Sequence, residues 1–167
     1  MSEQDPRGAG RAVRIERHLA APPERVFETW LDPASMARWL SPTGRALATT
    51  DPRPDGRFRV VMLGDGTEIE HVGRYLELVR GRRLRFTWRS PYTGGDSIVT
   101  VELAPAPGGT RLTLLHEGLP GEHADPHAGG WGQILDLLAA ELATSADRSA
   151  TTAGRHVDEI EQLGDLR

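Results

Sequence analysis

The spacing of apolar residues changes twice along this chain, and that double change constrains the fold most. Val26, Phe27, Trp30 and Leu31, followed by Met36, Trp39 and Leu40, recur at helical spacing. From Gly44 to Glu117 apolar and polar residues instead alternate in short runs broken by Gly, Pro and Asp, the pattern of strands and turns. Helical spacing returns over residues 128–143, where Trp131, Leu135, Leu138 and Leu142 mark one stripe with Ile134 beside it. With Val13 and Ile15 on one face of a first strand at 13–19, the predicted order is one strand, two helices, six strands and a final helix.

The punctuation agrees with this order. Pro22 and Pro23 suit the first turn of a helix and Glu24 suits the positive end of its dipole. Asp32-Pro33 stops that helix and caps the next, which Ser41-Pro42 ends. Strands are expected at 45–50, 57–63, 68–79, 82–88, 97–104 and 110–117, with Gly64-Asp65-Gly66 as a hairpin turn. Strand parity then says which side chains point inward. In the last strand Leu112, Leu114 and His116 share a face, so His116 is expected at the mouth of the interior. In the long strand Ile69, His71, Gly73 and Tyr75 share the inner face, and the later Leu76 and Leu78 break that parity, which predicts a bulge near Tyr75.

Several segments in this order resemble one family. They are Ala21-Pro22-Pro23-Glu24-Arg25-Val26-Phe27, Trp39 ahead of a proline, Gly56-Arg57-Phe58-Arg59, Gly73 followed by Tyr75 and Leu76, and Arg83-Leu84-Arg85-Phe86-Thr87-Trp88. The run from Gly108 to Leu119 and the segment Gly130-Trp131-Gly132-Gln133-Ile134-Leu135 complete the set. Together they resemble the START-like SRPBCC superfamily and, within it, the AHSA-type branch named for homologues of the heat-shock-chaperone ATPase activator. The resemblance implies an α+β helix-grip fold with two short helices after the first strand. A curved antiparallel sheet of six or seven strands wraps a long C-terminal helix and leaves a cavity between them. The expected organisation is a flexible lead over 1–11, the START-like domain over 12–143 and a flexible tail over 144–167. Val157, Ile160 and Leu163 in that tail suit a short amphipathic helix that needs a partner, a homodimer being one way to supply it.

Composition removes several kinds of chemistry. The 167 residues include no cysteine, which excludes disulfides, thiolate nucleophiles and zinc-thiolate sites. All 20 basic residues are arginine, so lysine Schiff bases are excluded as well. A net charge of −4 argues against a nucleic-acid binder relying on a strong positive field. Without an apolar run of about 20 residues or a secretory leader, no membrane partner is expected and the location is taken as cytoplasmic. No nucleophile elbow, phosphate-cradling loop, metal-helix motif or dinucleotide fingerprint is present, so no catalytic residue is assigned and no cofactor or metal is expected.

What remains is a set of polar groups among apolar ones. His71, Tyr75 and His116 are either core residues satisfied by the protein or the orienting groups of a cavity lined by Met62, Phe86, Trp88, Val99, Trp131 and Ile134. Trp131 is expected to pack the core, with ligand stacking as the alternative. His123, Asp125 and His127 carry metal-ligand chemistry, yet their closeness in a short polar stretch reads as a surface loop. The run Arg80 to Arg89 reads as a solvated face, with Leu84, Phe86 and Trp88 opposite. The expected function is binding of a hydrophobic or aromatic small molecule. One rival is a cyclase, dehydratase or hydrolase using His71, Tyr75 or His116 as acid and base. Another is the chaperone-associated stress-response role that the family's name suggests, although the eukaryotic activators carry a further N-terminal domain for which this chain has no room.

Overall fold

In the computed structural model, residues 11–164 are described, with side chains described as far as Thr144. The elements are β1 (Arg11–Leu19), α1 (Pro23–Thr29), α2 (Pro33–Trp39), β2 (Ala46–Thr50) and β3 (Arg57–Gly64). They continue with β4 (Thr67–Val79), β5 (Arg83–Trp88), β6 (Ser97–Ala106), β7 (Gly109–Leu119) and α3 (Gly121–Gly164). The seven strands form one curved sheet in the order β1-β7-β6-β5-β4-β3-β2, every neighbouring pair antiparallel. Strands β2 to β7 meander, and β1 returns to pair with β7, which is the predicted helix-grip architecture.

Local chemistry explains the elements. Asp32 caps α2 by accepting from the Ser35 amide at 3.2 Å. In β4 the register slips between Tyr75 and Glu77, the bulge that the Leu76 and Leu78 parity required. Gly73 is needed because a Cβ there would lie 2.0 Å from the Thr87 carbonyl oxygen and 2.3 Å from Phe58 Cζ. The Phe58 ring therefore occupies the space that a larger residue in β4 would claim.

The core lies between the sheet and α3. Leu112 and Leu114 of β7 and Leu135 and Leu138 of α3 are completely buried in one cluster with Trp39 of α2. Polar ties fix the two short helices to α3. Arg38 of α2 reaches the Glu141 carboxylate through Nε at 3.0 Å and Nη2 at 2.7 Å, and Arg25 of α1 donates to the Leu142 carbonyl at 2.9 Å.

Helix α3 begins at Gly121 rather than near residue 128, so the stretch read as a surface loop forms its first turns. Pro126 lowers helix propensity there and, with the polar residues around it, hid those turns from the sequence. Tertiary burial outweighs that cost: Ala124 is buried against Val13 and Leu119. The range expected as a tail falls within the same helix as far as Gly164. Its side chains beyond Thr144, including the Val157, Ile160 and Leu163 pattern, lie outside the described residues, as does the lead over 1–10. Among the described residues no helix is long and apolar enough to cross a membrane.

Candidate functional site

Strand parity carries His116 inward from β7, and the structure buries it completely. The Trp131 indole N–H donates to His116 Nδ1 at 3.0 Å, which fixes the tautomer: the neutral ring must carry its proton on Nε2. That Nε2–H donates to Ser97 Oγ at 2.7 Å, and Ser97 Oγ donates to the Trp88 carbonyl at 2.6 Å. The chain of donors runs from α3 through β7 and β6 to β5 and uses both nitrogens of the imidazole. Burial, reinforced by repulsion from His127 and His71, pushes His116 down to about 3. At neutral pH it is an uncharged structural link.

His71 comes from β4 and is also buried. Its ring lies against Trp88 with centroids 4.6 Å apart, and Nδ1 donates to the Ile69 carbonyl at 3.1 Å. Burial pushes its value down to about 4 despite the carbonyls of Ile69 and Val60, and His127 lowers it further. His127 itself sits on the second turn of α3, half-buried, with its ring 5.3 Å from His116 in an edge-to-face arrangement. Its Nδ1 donates to the His123 carbonyl one turn back at 2.7 Å, and burial is the main cause of its lowered value.

Between α3 and the sheet lies a pocket of about 230 Å³. The sheet contributes Met62, Ile69, His71 and Trp88, and α3 contributes His123, Pro126, His127, Gly130, Trp131 and Ile134, with Pro42 and Tyr92 from the flanking loops. None of these is Asp, Glu, Lys or Arg. The walls are mostly aromatic or apolar, and Trp88 and Trp131 touch with centroids 5.3 Å apart.

Of the residues singled out from the sequence, Met62, His71, Trp88, Trp131 and Ile134 meet at this pocket. Tyr75 and Phe86 do not. They lie deeper, with Trp88 and Trp30, around a separate void of about 10 Å³. The Tyr75 hydroxyl is buried with no hydrogen-bond partner among the described residues, and burial raises its pKa. Val99 and His116 line neither space, and both are fully buried. His116 was expected at the mouth, but its bonds to Trp131 and Ser97 hold it in the core. His127, His123, Pro126, Tyr92 and Pro42 were not foreseen as pocket residues. The four-residue spacing of His123 and His127 was the available signal, since it places both on one helix face. As a metal set the same stretch fails the geometry: Asp125 is exposed, and no group of three or more potential ligands comes together among the described residues.

Comparison with known proteins adds the family. The family described as Activator of Hsp90 ATPase homolog 1-like protein matches residues 20–143. An uncharacterized protein of Schizosaccharomyces pombe is 33% identical over 102 residues, which make up 60% of this chain and 27% of that protein. The chain thus spans about a quarter of that relative's length. A solved protein from Chromobacterium violaceum is 37% identical with a TM-score of 0.67, covering 78% of this chain and 96% of its own. The AHSA1 protein from Silicibacter pomeroyi is 29% identical with a TM-score of 0.70, covering 81% of this chain and 99% of its own. On the match over residues 20–143, joined to the helix-grip fold, the chain belongs to the AHSA1 family, the Activator of Hsp90 ATPase homolog 1-like branch of the START-like proteins.

Proposed function

We propose that this domain binds a small, neutral, apolar or aromatic molecule in the pocket between α3 and the sheet. The observation that carries this is a wall of aromatic and aliphatic side chains, with no carboxylate, guanidinium or ammonium among them, around about 230 Å³ of open space. That volume is below the roughly 300–1,000 Å³ of drug-sized sites, so a ligand of one or two fused rings suits it. Met62, His71, Trp88, Trp131 and Ile134 are the proposed contacts. His116, Tyr75, Phe86 and Val99 support them from behind, and residues 12–143 are taken as the binding unit. The same proposal makes the protein cytoplasmic, without a membrane or nucleic-acid partner, and the net charge of −4 supports the last point.

An acid–base enzyme is the second reading, and one observation favours it. His71 and His127 both line the pocket with values held below that of an ordinary imidazole, so each has a lone pair at neutral pH. His116, with both nitrogens engaged in the protein, is not a candidate base. The chaperone-associated role rests on the family description alone.

Titration with 1-naphthylamine, an uncharged two-ring probe whose fluorescence shifts in apolar surroundings, tests the binding proposal. Saturable binding to the wild-type protein is expected, weakened at least about tenfold in Met62→Trp, where the larger ring fills the pocket. Equal binding by a folded Met62→Trp variant moves the ligand elsewhere.

A further inference from the structure

The hydrogen bonds already made around the pocket specify the polarity of what enters it. The Trp131 N–H is spent on His116, the His116 N–H on Ser97, and the His71 Nδ1–H on the Ile69 carbonyl. His71 and His127 each keep a lone pair on the second ring nitrogen, but the His71 ring is buried against Trp88, whereas His127 is half-buried and the more accessible of the two. A carbonyl oxygen can only accept, so the 2.7 Å contact with the His123 carbonyl places the ring proton on Nδ1. Nε2, on the far edge of the ring, then holds the lone pair and faces away from the helix backbone. The half-buried ring forms part of the pocket wall; Trp131 and His71 beside it have used their N–H groups within the protein, which leaves Trp88, Tyr92 and His123 as the lining residues able to donate.

We infer that the ligand carries a hydrogen-bond donor on an aromatic ring, a phenolic or enolic hydroxyl, which it gives to Nε2 of His127. This deepens the binding proposal above and rests on it. An acceptor-only group, such as an ether or ketone, finds no donor on His127 in this tautomer. A carboxylate is disfavoured because no cationic side chain lines the pocket. The lowered value of His127 supports the same assignment, since the lone pair is then free of a proton at neutral pH. His127 is thus assigned as the residue that sets ligand specificity, a role that the sequence did not suggest.

Three probes of similar shape separate this inference from the binding proposal: naphthalene, 2-methoxynaphthalene and 2-naphthol, titrated into the full chain by tryptophan fluorescence. The wild-type protein is expected to bind 2-naphthol about three- to tenfold more tightly than 2-methoxynaphthalene, the range that one net hydrogen bond spans. In His127→Phe the preference should vanish while naphthalene still binds. Should that variant fail to fold, nitrogen-15 NMR of the wild-type imidazoles decides. The Nε2 signal of His127 should move in the direction of hydrogen-bond acceptance with 2-naphthol and stay in place with 2-methoxynaphthalene. Equal affinities for these two probes, or a preference that survives in His127→Phe, overturns the inference and leaves the pocket standing. Absence of binding by all three probes overturns both.

Discussion

Replacing Trp131 with phenylalanine keeps an aromatic ring at the head of the α3 stripe and removes the N–H that His116 Nδ1 accepts at 3.0 Å. Both residues are buried, at 2% and 0% exposure, so the abandoned nitrogen cannot turn to bulk water. Leaving a buried acceptor unsatisfied costs about 1–3 kcal/mol, and the void beside the smaller ring adds about 1 kcal/mol. The sum is about 2–4 kcal/mol at pH 7.5, measurable by urea denaturation. A second signature separates the hydrogen bond from mere packing. In the wild-type protein His116 titrates near 3 against an ordinary 6.5, so stability is lost as pH falls below 6.5 while the folded imidazole resists protonation. In the variant Nδ1 is open to a proton and the folded value rises, so the variant loses less on acidification. Each unit by which that value rises above 4 narrows the stability gap at pH 4 by about 1.4 kcal/mol. A gap under about 1 kcal/mol at pH 7.5, or the same gap at pH 7.5 and pH 4, refutes the hydrogen-bonded role of Trp131.

Related outcomes follow from the same geometry. Trp131→Ala should cost about 3–5 kcal/mol in denaturation, because the whole ring is lost from the core. Ser97→Ala removes the acceptor of His116 Nε2–H and the donor to the Trp88 carbonyl, and should cost about 1–3 kcal/mol by the same assay. Gly73→Ala forces a Cβ against the Thr87 carbonyl and Phe58, and should lower stability by about 2–3 kcal/mol, read as a drop in melting temperature. In the wild-type protein the lowered values of His71, about 4, and His116, about 3, mean that the unfolded chain binds protons first. Stability should therefore be full above about pH 6.5 and fall by several kcal/mol toward pH 4, and a flat profile across that window contradicts the buried neutral imidazoles.

The alternation of strands exposes which faces turn inward, and little about depth behind them. Ile69, His71 and Tyr75 were legible as one face of β4, and Leu76 and Leu78 betrayed the bulge that the register slip records. On the same reasoning Phe86, Trp88, Val99 and His116 all look inward, yet only Trp88 among these four reaches the pocket. Parity cannot rank residues along the axis between sheet and helix. Trp131 was legible as core from its place in the helical stripe. Its indole nitrogen bonding to His116 depends on a side-chain rotamer, which spacing does not encode. The first turns of α3 were hidden because Pro126 and the polar residues around it read locally as loop, while the burial of Ala124 that holds the helix comes from distant Val13 and Leu119. With those turns unseen, His127 had no face to be assigned to, and the residue nearest to a specificity role went unread.

The central claim, a ligand site bounded by α3 and the sheet, is tested most directly by a crystal structure of the full chain grown with 2-naphthol. The account predicts density for the fused rings over Met62, Trp88 and Trp131, with the hydroxyl at hydrogen-bond distance from His127 Nε2 and the bonds of His116 to Trp131 and Ser97 intact. Density for the probe on the outer face of the sheet, or a pocket left empty at saturating probe while binding is measured in solution, would contradict it.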